Sequence, residues 1–170
     1  VNTVPCLKVV ITERVVLPVG KIDELLKKDF IFLDGAMGTM LQKAGLKLGE
    51  RPEAICIEKP EIITDIHRQY VEAGSQIVYA NTFGANRHKL EGTGLEVEKV
   101  IEAAVKCAKN AVEGTDAMVA LDIGPIGELL EPSGTLSFES AYDIFKEMVV
   151  IGEKAGCDII VFETMTDLYE

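Results

Sequence analysis

Four short apolar runs punctuate this chain, and each stops at a polar residue. Ile31-Phe32-Leu33 ends at Asp34-Gly35, and Ile77-Val78-Tyr79-Ala80 ends at Asn81-Thr82. Met118-Val119-Ala120-Leu121 ends at Asp122, and Ile159-Ile160-Val161-Phe162 ends at Glu163-Thr164. The runs are rich in β-branched residues and lack polar alternation, the pattern of strands buried on both faces of a parallel sheet. Stripes at helical spacing lie between them. Pro60 opens one that carries Ile62, Ile63, Ile66, Tyr70 and Ala73 and stops at Gly74. Val97, Val100, Ile101, Ala104, Ala108 and Ala111 form a second, stopped by Gly114, and Phe138, Ala141, Phe145, Met148 and Val149 a third, stopped by Gly156. One apolar face per helix places each helix on the sheet. A shorter helix over Ile22 to Lys28 precedes the first strand.

The order is also periodic. Asn81, Asp122 and Glu163 follow one another at intervals of 41 residues, and Ala73-Gly74 recurs as Ala155-Gly156. Repeated βα units build either an open doubly wound sheet or a (β/α)8 barrel. A complete barrel takes about 250 residues, and four strands in 170 residues supply half of one. The expected fold class is therefore α/β, the first half of a (β/α)8 TIM barrel, with four parallel βα units and the barrel incomplete. The expected domain organisation is an atypical N-terminal extension over residues 1–20 and a partial barrel domain over 21–170. Four strands cannot close, so the strands at 30–34 and 158–163 should be open edges with exposed apolar surface, which favours self-association.

Composition narrows the partners. With 17 Lys and Arg against 28 Asp and Glu, the net charge is −11. Nucleic acid held through phosphates needs clustered basic residues, so no such partner is expected. A hydrophobic content of 48% fits a chain that buries a core. No stretch reaches the ~20 apolar residues of a membrane span. The opening segment has neither the basic start nor the unbroken apolar centre of a signal peptide, because Glu13 and Arg14 interrupt it. Cys6, Cys56, Cys107 and Cys157 are dispersed, with no Cys-x-x-Cys pair. They read as reduced thiols of a cytoplasmic protein, packed as small hydrophobes.

In both candidate architectures ligands sit at the C-terminal ends of the strands. Those ends supply Asp34, Asn81, Thr82, Asp122 and Glu163, and no Lys or Arg. Such a mouth attracts an ammonium or a metal, and it lacks a lysine for Schiff-base chemistry. Asp34-Gly35 and Asp122-Ile123-Gly124-Pro125 are also good turn sequences. Glu163 has less structural excuse, since an unpaired carboxylate after Ile-Ile-Val-Phe is costly to bury. Asp34-Gly35-Ala36-Met37-Gly38-Thr39 reads as a small-residue loop whose free N–H groups can hold an anion. Ammonium and carboxylate recognition in one pocket is the problem posed by an amino acid. His67, between Ile66 and Arg68, reads as a surface residue. His88 lies in a polar segment near the mouth, and Tyr79 and Tyr142 read as core or helix packing.

The segment DGAMGTMLQ (34–42) resembles the opening of homocysteine S-methyltransferase domains, especially those of cobalamin-dependent methionine synthases. The resemblance continues through RPEAICIEKPEII (51–63), HRQYVEAGSQIVYANTFGANRHKL (67–90), DIGPIGELLEP (122–132) and FETMTD (162–167), and spans Lys21 to Glu170. It implies a barrel that binds homocysteine and methylates its sulfur to give methionine. It implies that Asp34 and Glu163 hold the homocysteine ammonium, that backbone groups at Gly35 and Ala36 with Thr82 hold the carboxylate end, and that Asp122 lines the pocket. It implies zinc in the complete domain, held by three cysteine thiolates whose ligands are not in this chain. The zinc would stabilise the homocysteine thiolate, the attacking form. The chain alone is accordingly expected to bind no stoichiometric zinc. Cobalamin, loaded from methyltetrahydrofolate on modules outside these residues, is the methyl donor the motif favours, with betaine and S-methylmethionine as alternatives. The competing expectation is a non-catalytic truncated half-barrel that binds amino acids weakly or self-associates.

Overall fold

The computed structural model describes residues 20–47 and 49–170. The extension expected over 1–20 falls, but for Gly20, outside the described residues, as does Cys6. Ten elements follow one another. They are α1 (Lys21–Leu25), α2 (Met37–Lys43), α3 (Pro52–Glu58), α4 (Pro60–Glu72), β1 (Ile77–Tyr79), α5 (Arg87–Leu90), α6 (Val97–Val112), β2 (Met118–Ile123), α7 (Phe138–Ala155) and β3 (Ile159–Phe162).

The three strands form one parallel sheet in the order β1-β2-β3. The expected strand at 30–34 is reduced to a single parallel bridge between Leu33 and Ile77. Phe32 O accepts from Gln76 N, and Asp34 N donates to Ile77 O. The segment therefore runs beside β1 without becoming a full strand. The physical reason is that β1, its partner, is only three residues long and offers little backbone to pair with. The sheet is thus three strands and a bridge where four strands were expected. Among the described residues its two sides are open, and Phe32 and Phe162 are 64% and 53% exposed. That exposure matches the apolar edges expected of an unclosed sheet.

Period-two alternation splits the sheet into two faces. Val78, Val119, Leu121 and Ile123 point into the main core, where α3, α4, α6 and α7 pack. Ile77, Met118 and Ala120 point to the opposite face and form a second cluster with Leu25 of α1, backed by Ile31, Tyr79, Ile159 and Val161. All six residues of β2 are buried, as a central parallel strand requires. The helices end where the glycines stop them. Gly156 caps α7 in the left-handed conformation, which lets its N–H return to Gly152 O.

The helix-to-sheet spacing depends on one small residue. A Cβ at Gly152 of α7 would sit 2.5 Å from Leu121 Cδ2, and Leu121 is fully buried. Gly152→Ala gains about 1 kcal/mol of helix propensity but overpacks a closed interface, which costs about 1–3 kcal/mol. The expected net result is lower stability in denaturant titration, with an unchanged urea slope.

Candidate functional site

The alternation that builds the sheet also builds a mouth of acids. Met118, Ala120 and Asp122 lie on one face of β2, and Ile159 and Val161 on the same face of β3, with Glu163 next in that series. Each series thus ends in a carboxylate above apolar residues. Asp34, Gly35, Ala36, Asp122 and Glu163 line one open depression of about 570 Å³, together with Glu53, Tyr79, Asn81, Phe83 and Thr164. No Lys or Arg lines it among the described residues.

Asp34 leaves the bridge segment at the edge of β1. Its Oδ2 accepts the Tyr79 N–H at 3.0 Å. Burial is the main cause that raises its pKa to about 6, against the Tyr79 hydrogen bond and with some help from Glu163. Asp122 is raised to about 7, first by burial and then by the charges of Glu163 and Asp34. Its Oδ1 is buried with no hydrogen-bond partner among the described residues. Glu163 is half-buried at the end of β3, and its N–H donates to Ile123 O. Asp34 and Asp122 thus share one partly dry space with Glu163, whose charge opposes their ionisation.

Thr82 does not line the depression. It is fully buried, and its hydroxyl donates to Asp122 O at 2.7 Å while accepting from Asp122 N at 3.0 Å. It ties the end of β1 to β2 beneath Asp122. Met37, Gly38 and Thr39 are the first turn of α2, so the expected small-residue loop ends at Ala36. The short turn before α2 brings Gly35 against the Tyr70 ring, where a Cβ would lie 2.9 Å from Cε1. Tyr70 OH donates to Ala36 O at 3.2 Å.

His67 is the clearest departure from the sequence reading. It is 0% exposed, and its Nδ1 lies 3.8 Å from Asp34 Oδ2. Burial lowers its pKa to about 4, so the ring is neutral at pH 7. The expectation of a surface residue followed its polar neighbour Arg68, but helical spacing decides otherwise. His67 follows Ile63 by four residues and precedes Tyr70 by three, on the face of α4 that packs inward. Tyr79 also departs in part, because it lines the depression as well as packing on the sheet. Tyr142 is 57% exposed and does not pack in the core. His88 faces Glu128 at 3.5 Å, outside the depression.

Glu53 and Thr164 have no place at this site in the sequence reading, and Asn81 is there only as a polar strand end without a role. Glu53 is buried in the first turn of α3 against Gly84, where any Cβ would overlap its Oε1. Asn81 Nδ2 donates to Pro52 O at 2.8 Å and to Cys56 Sγ at 3.3 Å, locking α3 to the end of β1. Thr164 has a positive φ of 61, an unfavourable state for a β-branched residue and a common mark of functional turns.

The zinc implied by the sequence resemblance does not fit these residues. Among those described, no group of three or more His, Cys, Asp or Glu is arranged to hold a metal. Cys56 and Cys107 are buried and do not line the depression, and burial pushes the Cys56 thiol up to about 12. Cys157 precedes β3 and so lies at the opposite end of the sheet from the depression. No helix among the described residues is long and apolar enough to cross a membrane.

Comparison with known proteins places the chain in a family. The family model for homocysteine S-methyltransferase matches residues 31–170. Betaine–homocysteine S-methyltransferase 1 of Mus musculus is 29% identical over 154 residues, covering 85% of this chain and 36% of that protein. Homocysteine S-methyltransferase of Escherichia coli strain K12 is 28% identical over 164 residues, covering 85% of this chain and 53% of that protein. The metallated crystal form of the homocysteine methyltransferase MmuM from Escherichia coli superposes with a TM-score of 0.77 at 27% identity, over 88% of this chain and 59% of that one. The chain therefore spans roughly a third to three-fifths of these relatives. A family model that matches most of this chain, on a fold shared with MmuM, makes this chain a member of the homocysteine S-methyltransferase family.

Proposed function

We propose that this chain is the amino-acid-binding part of a homocysteine S-methyltransferase, a cytoplasmic enzyme that moves a methyl group to the sulfur of homocysteine to form methionine. Its fold is then the first half of a (β/α)8 barrel beginning near Lys21, with residues 1–20 as an extension. The observation that carries the reading is the convergence of Asp34, Asp122 and Glu163 around one depression without a basic residue. Asp34 and Glu163 hold the substrate ammonium. The backbone at Gly35 and Ala36, where the chain turns into α2, meets the carboxylate end. Asp122 lines the wall. Thr82 serves this site from below, by fixing Asp122 rather than by touching substrate.

The zinc ligands of such an enzyme would come from outside this sequence. The DGAMGTMLQ motif favours a methionine synthase-like enzyme, with cobalamin and methyltetrahydrofolate on modules outside these residues. The mouse relative, whose name specifies betaine, makes betaine the second donor to test. Self-association of the chain through its open sheet edges belongs to the same proposal.

Charge rather than shape should decide binding. Asp34→Asn and Glu163→Gln keep the side-chain outline but lose a charge-assisted hydrogen bond of about 1.5–3 kcal/mol. Each is expected to weaken homocysteine binding about ten- to a hundredfold in calorimetric titration, with melting temperature little changed. Unchanged affinity in Glu163→Gln contradicts the assignment.

The same acids set a pH dependence. Asp34 and Asp122 have folded-state pKa values above the ordinary 3.8. A raised acid pKa means the folded state binds the proton more tightly than the unfolded state. This contribution to stability is complete below about pH 4 and is lost as pH rises to about 7. Asp122→Asn removes one ionisation from the crowded site. After allowance for partial exposure, it is expected to stabilise the ligand-free chain by about 1–2 kcal/mol near pH 8, and by less near pH 5. Denaturant titrations at both pH values test this, and equal effects at the two would contradict it.

A further inference from the structure

His67 does not line the depression, yet it is a buried polar group beside Asp34. Its ring is fully enclosed, and neither nitrogen has a hydrogen-bond partner among the described residues. A neutral imidazole must carry its proton on one nitrogen or the other. Only the Nδ1–H form aims the donor at a carboxylate, since Asp34 Oδ2 is 3.8 Å from Nδ1. That is longer than a formed hydrogen bond, yet close enough for an N–H at Nδ1 to favour the charged carboxylate with or without ligand. One turn further along α4, Tyr70 holds Ala36 O and packs on Gly35. His67 and Tyr70, three residues apart on one face, thus back the whole Asp34–Ala36 turn from a rigid helix.

We propose that His67 is a positioning residue for the Asp34 carboxylate: its Nδ1–H holds Oδ2, together with the Tyr79 N–H, so that Oδ1 meets the ligand ammonium. This rests on the reading of Asp34 as an ammonium anchor. The groups that face Asp34 come from every neighbouring element: His67 and Tyr70 from α4, Tyr79 from β1, Asp122 from β2 and Glu163 from the end of β3. Tyr70 spends its hydroxyl on Ala36, and Asp122 and Glu163 are acids that oppose ionisation of Asp34. His67 is the side chain placed to supply a donor.

The test separates the donor from the volume. The Asn amide nitrogen can overlay Nδ1 of histidine, whereas the Gln amide reaches only as far as Nε2. In the ligand-free chain, NMR titration of the labelled Asp34 carboxyl is expected to give wild-type and His67→Asn similar midpoints. His67→Gln should raise the midpoint by about half a unit or more, because a donor to the charged form is lost. Homocysteine affinity should follow the same order, with His67→Gln about threefold or more weaker near that midpoint. A space-filling role predicts the opposite order, since Gln is closer to His in volume. Nitrogen NMR of the unmodified chain needs no variant and should find His67 protonated at Nδ1. An Nε2–H tautomer, or the same Asp34 midpoint in His67→Gln as in wild type, overturns the proposal. Failure of the wild-type chain to bind homocysteine would instead defeat the functional reading, while the Asp34 midpoint and the His67 tautomer still decide the positioning role.

Discussion

The alternation of side chains across a parallel strand fixes most of what this protein can do. In β2 the residues that face away from α3, α4, α6 and α7 are Met118, Ala120 and Asp122, and in β3 they are Ile159 and Val161, with Glu163 to follow. An apolar floor therefore ends in carboxylates at one edge, without a separate device to place them. Helix packing on the other face, through Val119, Leu121 and Gly152, keeps the strands in register. A one-residue slip would send Asp122 into the helix layer and an apolar neighbour to the mouth. Stability of the sheet and geometry of the site are the same constraint.

Desolvation then gives those carboxylates their chemistry. Asp34 and Asp122 lose water to the fold and face each other's charge and that of Glu163, so their protons are held more tightly than in solution. A cation entering the depression would relieve that repulsion, which is the physical basis of the proposed ammonium site. The arrangement costs stability in the ligand-free state, a common cost of sites that hold like charges together.

Much of this was legible in the residues. The apolar runs at 77–80, 118–121 and 159–162 became strands, and the stripes opened by Pro60, Val97 and Phe138 became α4, α6 and α7. Asp34, Gly35, Ala36, Asp122 and Glu163 meet in one depression. What was not legible depended on tertiary neighbours. Ile31–Leu33 has strand composition but lies beside a β1 of only three residues, so it stops at a bridge. Thr82 looked like a ligand contact because it ends a strand, and only the β1–β2 spacing shows its hydroxyl committed to Asp122. His67 was read by its neighbour in sequence, where its neighbours one turn away decide its face. Glu53 had no strand to mark it, although the close approach of Gly84 is its counterpart. The short helices α3 and α5 carry too few turns for a periodic signal.

The most direct measurement compares homocysteine with its analogue lacking only the amino group, 4-mercaptobutanoic acid, by calorimetric titration into the full chain near neutral pH. The two share the thiol, the carboxylate and the carbon chain, so the difference isolates the ammonium. If Asp34 and Glu163 form an ammonium site, homocysteine binds at least about tenfold more tightly, the effect of losing one charge-assisted hydrogen bond. Equal affinity for the two compounds, or tighter binding of the analogue, would contradict the account.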